Sequence, residues 1–251
     1  MINRILVLFI VLSFFSCRNK NQGGEYATTT TMEAVAMEAD LMEAADTIQS
    51  GITITDEKLL KLVPSNYIVT EEIYGDLNKD GVEDCILIIK ATEKENIIDH
   101  EWRGKLDRNR RGIIIAFKNG DYYETVVHNH SCFSSENEDG GVYFAPELSV
   151  EINQKGNLGI HYSHGRYGHW EYIFRYQNNT FELIGFASHS NRGPVGLSKT
   201  SINYSTGKRV DSTNLNQYCD ECDEKWEDIW SDVENVELLK LGDIEDFDNL
   251  L

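Results

Sequence analysis

The chain reads as a mainly β protein: an antiparallel meander, folded as a sandwich or an open barrel-like sheet, with a short N-terminal helix and a C-terminal amphipathic helix. Three observations predict this. Apolar and β-branched residues recur with strand spacing in short runs from Tyr67 onward. Short polar turns separate many of the runs, among them Asn119-Gly120, Gln154-Lys155-Gly156-Asn157 and Gln177-Asn178-Asn179-Thr180. Connections that brief exclude parallel neighbours, which need crossovers of about a dozen residues or more. Helical spacing occurs only near the ends.

Taken in order, the folded part opens near Thr53, where Thr55 and Asp56 can cap a turn carrying Leu59, Leu60 and Leu62 before Pro64 stops it. Strands are expected at 67–74, 85–91, 112–118, 122–128, 147–153, 158–163, 170–176, 181–187 and 198–204. Farther on, Trp226, Ile229, Trp230 and Val233 fall on one helical stripe, with Glu224, Glu227, Asp228 and Asp232 elsewhere. A helix is therefore expected over 223–235, its two tryptophans packed onto the sheet.

Composition narrows the function classes. With 41% apolar and 10% aromatic residues, the chain can build a globular core. Its formal net charge of −19 is concentrated at the end: residues 219–251 carry acids throughout and only Lys225 and Lys240 as bases. Such a balance repels phosphate backbones and anionic headgroups, so nucleic acid is excluded as a partner and charge-driven membrane binding is disfavoured.

The N-terminus offers a different route to a membrane. Arg4, the apolar run 5–12 and Ser13-Phe14-Phe15-Ser16 precede Cys17. That pattern resembles a bacterial lipoprotein signal peptide, being too short for a permanent span and ending on a small residue before cysteine. The resemblance implies a leader over 1–16 and lipidation at Cys17, so that the membrane is met through an N-terminal lipid. Residues 17–52, with four consecutive threonines and a Met/Glu/Ala-rich stretch, read as a flexible tether, and 53–251 as a single β-rich domain with an acidic C-terminal helix. Arg18, Asn19 and Lys20, rather than acids, follow Cys17. By resemblance to sorted lipoproteins this places the protein in the cell envelope, on the periplasmic face of the outer membrane.

Four cysteines remain, and an even number outside the cytoplasm permits two disulfides. The simplest pairing is Cys219 with Cys222 and Cys85 with Cys132, although Cys85 lies in an apolar run and reads equally well as a buried thiol.

The most specific motif is Asp76-Leu77-Asn78-Lys79-Asp80-Gly81-Val82-Glu83-Asp84. Oxygen-bearing side chains at alternate positions, a glycine at the sharp turn and a closing acid are what a tight loop needs to wrap a hard cation. The twelfth position, a bidentate glutamate in an EF-hand, is here Leu87. The loop instead resembles the calcium loops of FG-GAP or VCBS repeats, in which strands flank the site. By that resemblance Asp76, Asn78, Asp80 and Asp84 are side-chain ligands of Ca2+ and the Val82 carbonyl is a fifth. The repeated copies of a propeller are absent.

Weaker constellations complete the reading. Histidines gather at His128, His130, His161, His164 and His169, and His128-Asn129-His130 has no zinc-finger-like context. Arg103, Lys105, Arg108, Arg110 and Arg111 form one basic run, expected to face the acidic tail or solvent. Polar loops near Phe133, Tyr143, Tyr167 and Trp170 could present an aromatic platform to a glycan or protein ligand. The leading expectation is a lipid-anchored, non-enzymatic binding or assembly module with a structural calcium hairpin. The competing one is an extracytoplasmic hydrolase built from His128, His161 and His164 with an acid such as Glu136 or Glu171.

Overall fold

The computed structural model describes residues 56–250 except 141, 142, 220, 235 and 236; the leader, Cys17, the tether and Thr53 to Thr55 lie outside the described residues. A short helix α1 (Glu57–Leu60) is capped by Asp56, whose carboxylate accepts the Lys58 backbone N–H at 2.9 Å. Fifteen strands are named among the described residues, nearly all in two antiparallel sheets: β1 (Tyr67–Gly75), β2 (Asp84–Ala91), β3 (Ile97–His100), β4 (Gly104–Asp107), β5 (Arg111–Asn119), β6 (Tyr122–Phe133), β7 (Asp139–Gly140), β8 (Tyr143–Phe144), β9 (Glu147–Ile152), β10 (Leu158–Ser163), β11 (Gly168–Gln177), β12 (Thr180–Arg192), β13 (Val195–Asn203), β14 (Lys208–Asn214) and β15 (Trp226–Asp232). The smaller sheet runs β1-β2-β5-β6, and the larger is an unbroken meander from β9 to β15. Two small hairpins, β3-β4 and β7-β8, stand apart from both.

The sheets pack face to face as an open sandwich. Ile86, Ile88, Ile113, Ile115 and Val127 of the small sheet share one core with Val150, Leu158, Ile160, Tyr162, Tyr172, Phe174, Phe181 and Leu183 of the large one. The opposite face of the small sheet is also buried, because Cys85, Leu87, Ile89, Ile114 and Ala116 pack under Leu59 of α1. Burial on both faces explains why β2 and β5 are continuous apolar runs rather than alternating ones. Between β11 and β12, Asn178 and Asn179 both take positive φ (52° and 60°), as a two-residue hairpin turn matched to strand twist requires.

The C-terminus departs from expectation. Trp226–Asp232 is a strand, paired residue for residue with β14, and not part of an amphipathic helix over 223–235. Tryptophan and isoleucine pack well on a pleated surface, and the open edge of β14 offers a full ladder of backbone partners to an extended segment. Nor do both tryptophans pack inward: Trp230 is 67% exposed and Ile229 63%. The strands β14 and β15 contribute nothing to the shared core and extend beyond it as a wing.

The core is closed instead by the last residues. Leu241, Ile244 and Phe247 enter it, and the strap is tied down by Leu183 N–H donating to the Leu239 carbonyl and by Asn129 Nδ2 donating to the carbonyls of Leu241 and Ile244. Phe247 lies against Phe133 and Tyr172, with ring centroids 5.2 and 5.1 Å away.

Candidate metal loop and outer histidine face

The 76–84 loop joins β1 to β2 at one end of the sandwich. Leu77, fully buried, plugs it into the shared core. Lys79 and Gly81 turn the chain with φ of 67° and 86°. The polar side chains then fold inward on the loop's own amides. Asp80 N–H donates both to Asp76 Oδ1 (3.1 Å) and to Asn78 Oδ1 (2.9 Å), Gly81 N–H to Asp76 Oδ2 (3.0 Å), and Val82 N–H to Asp80 Oδ1 (2.8 Å). Asn78 Nδ2 also reaches Asp80 Oδ2 (2.9 Å). One amide shared between Asp76 and Asn78 places their oxygens side by side, and each carboxylate oxygen keeps a lone pair beyond the one its amide uses.

Asp84 is built differently. It is completely buried, and accepts from Leu77 N–H (2.9 Å) and Asn78 N–H (3.3 Å) through one oxygen and from Lys118 N–H (3.1 Å) of β5 through the other. Burial pushes its carboxyl upward from the ordinary range, and the three amide bonds oppose that shift. Asp84 thus ties both ends of the loop and the neighbouring strand into one unit. The turn after β9 closes over it so tightly that a side chain on Gly156 would meet the Asp76 carbonyl at 2.7 Å.

This donor set is all hard oxygen, which fits calcium and not a soft metal. Among the described residues no three His, Cys, Asp or Glu side chains form a ready metal group.

His128, His161 and His164 are not brought together. His128 pairs with Ile114 and so points to the α1 side of the small sheet, where its ring meets His130. His161 points to the outer face of the large sheet, and His164 sits in the following turn beside Tyr167. The whole sandwich separates His128 from His161. Glu171 does lie across from His161, while Glu136 faces the buried guanidinium of Arg111 at 3.8 Å.

Cross-strand register brings together residues that sequence spacing hid. His161, His169 and His189, from three successive strands, form a row on the outer face with ring centroids 5.5 and 5.3 Å apart. The row continues to Trp226, 5.9 Å from His189, over which Lys199 Nζ sits at 3.9 Å. Glu224 receives the Trp226 indole N–H and the Gly196 amide. Burial first, then Lys199 and His169, hold the His189 imidazole below its usual pKa, and its buried Nε2 has no hydrogen-bond partner. Only the pairing of β10, β11 and β12 could have revealed this row.

Other expectations resolve plainly. Cys219 and Cys222 are joined, but Cys85 and Cys132 are free, because they lie on opposite faces of the small sheet; burial raises each thiol to about 12. The basic run meets carboxylates: Arg108 pairs with Glu138, and Arg110 with Asp246 of the acidic tail. The aromatic platform is not formed as expected, since Phe133 is fully buried and Trp170 stacks on Tyr162 against the core.

The fold and site together define a class, a two-sheet antiparallel β protein with one oxygen-lined loop at the end of the sandwich and a histidine-rich outer face. No family model, curated protein or solved structure matches the chain.

Proposed function

We propose that the chain is a lipid-anchored cell-envelope protein, tethered through Cys17, whose β domain is a non-enzymatic binding or assembly module stapled by calcium. Asp76, Asn78, Asp80, Asp84 and the Val82 carbonyl hold the ion, and bound Ca2+ offsets the repulsion among the three carboxylates. The observation that carries this reading is the loop itself, in which neighbouring carboxylate and carboxamide oxygens are gathered around one turn and locked to β5 and the core by Asp84 and Leu77. The outer face with His169, His189 and Trp226 is the ligand surface, since an aromatic plane beside imidazoles, a lysine and a glutamate suits a glycan or an extended peptide.

Calorimetric titration of the full chain with CaCl2 tests the staple. One site is expected in the wild type and none in Asp80→Ala. Absence of binding heat in the wild type at several temperatures would overturn the reading. The ligand surface is checked with a glycan and peptide screen in saturating calcium, where Trp226→Ala should abolish any hit that the surface supplies.

A further inference from the structure

The large sheet ends on β15, and among the described residues no strand pairs with the far edge of that strand. Which backbone groups stand on the edge follows from the ladder with β14. Leu215 N–H donates to the Lys225 carbonyl (2.7 Å) and, past the other end, Val233 N–H donates to the Gly207 carbonyl (2.9 Å). Bonding alternates along an antiparallel pair, so Glu227, Ile229 and Ser231 also turn their amides toward β14, while Trp226, Asp228, Trp230 and Asp232 turn theirs to the open side. The strand is regular throughout. It carries no bulge, proline or lysine, devices by which exposed edges are kept from pairing, and its one guard is acidic charge.

A guard of one sign is selective. β15 holds Glu227, Asp228 and Asp232 and no base, and the bases of β14 are already engaged, Lys208 by Asp232 and Arg209 by Asp211. A second copy of this chain would bring the same acids again to one ladder, and segment 32–46 carries acids and no base, so neither matches the edge. A strand bearing lysine or arginine does. On one face its cations would meet Asp228 and the indole of Trp230, much as Lys199 sits over Trp226 at 3.9 Å, and on the other its apolar residues would meet Ile229. Leu215, Tyr218, Ile229 and Trp230 are all exposed on this one hairpin, a concentration of apolar surface of the kind that marks interaction sites.

We propose that the open edge of β15 takes up an extended cationic segment of another polypeptide as an added strand, main-chain bonds supplying affinity and the acids supplying choice of partner. This goes beyond the ligand surface proposed above, because it uses the backbone of an edge rather than the outer face, and neither the anchor nor the calcium loop enters it.

The probe is a peptide of alternating valine and lysine, as long as β15, added to the full chain. Amide exchange is read residue by residue by nuclear magnetic resonance. With peptide at about ten times its Kd, the amides of Asp228, Trp230 and Asp232 should gain about tenfold protection, while those of Glu227, Ile229 and Ser231, already bonded to β14, change far less. The same peptide N-methylated at alternate residues keeps its charge but loses its backbone donors, and should protect nothing. Replacing its lysines by glutamate should abolish binding. The Glu227→Gln, Asp228→Asn double variant should bind the cationic peptide about fivefold more weakly at an unchanged thermal midpoint. Protection without the alternation, or equal binding of the N-methylated peptide, would overturn the edge assignment while leaving a face-bound ligand in place. Failure of the cationic peptide to bind would overturn it too, and would show that the acids serve to keep the edge unpaired.

Discussion

The small sheet has apolar residues on both faces, whereas the large sheet buries one face under half of its strands and then runs out into solvent as β14 and β15. Both are built from the same hairpin chemistry. What differs is how much of each strand's surface leaves water, and the difference separates two tasks. The small sheet with α1, the strap and the 76–84 loop holds the fold, while the outer face and wing of the large sheet present side chains. Under the proposed function, stability and recognition are therefore carried by different faces, with β10 to β12 serving the core on one side and the histidine row on the other, and substitutions should divide along that line.

The largest effect is expected where the small sheet touches both layers. Replacing Ile115, fully buried in the shared core, by alanine should cost roughly 2–5 kcal/mol in urea unfolding, whereas Trp230→Ala on the exposed wing should stay within about 0.5 kcal/mol. Equal losses at the two positions would erase the distinction. Next comes Asp84→Ala, which strips the partners from the Leu77, Asn78 and Lys118 amides and should destabilise by about 1–3 kcal/mol even in chelator, because those bonds exist without any ion. A cost appearing only in calcium would mean that the hydrogen bonds contribute nothing by themselves.

The smallest effect lies on the outer face. His189 is held below the ordinary imidazole value by burial, then by Lys199 and His169, with Glu224 acting in the opposite direction. A depressed histidine favours the fold while neutral, so its contribution is complete above about pH 6.5 and is lost as pH falls through the lowered value. Titration by nuclear magnetic resonance should find the His189 midpoint under 6.5, and Lys199→Ala should move it upward. A midpoint above 6.5 would place His189 outside the row.

How much of this was legible in the sequence also follows from burial. The apolar runs of β2 and β5 and the alternating strands from β9 to β13 are recognisable because a buried face imposes a pattern. Lys208–Asn214 shows none, since β14 places no residue in the shared core and its one buried residue is the polar Asn214, and without that strand nothing in the sequence offers Trp226–Asp232 a partner. Its tryptophans and isoleucine then fit a helical stripe by spacing alone. The 76–84 loop is readable because all its oxygens lie in one short segment, whereas the His161, His169 and His189 row depends on strand register.

The central claim is that calcium at 76–84 tightens the structural half of the molecule and leaves the presenting half alone. Hydrogen–deuterium exchange of the full chain in calcium and in chelator measures it directly. The amides of Leu77, Asn78 and Lys118, all bonded to Asp84, should gain protection with calcium, while those of Ile229 and Trp230 on β15 should exchange at the same rate in both. Identical protection of the loop amides with and without calcium would contradict the account.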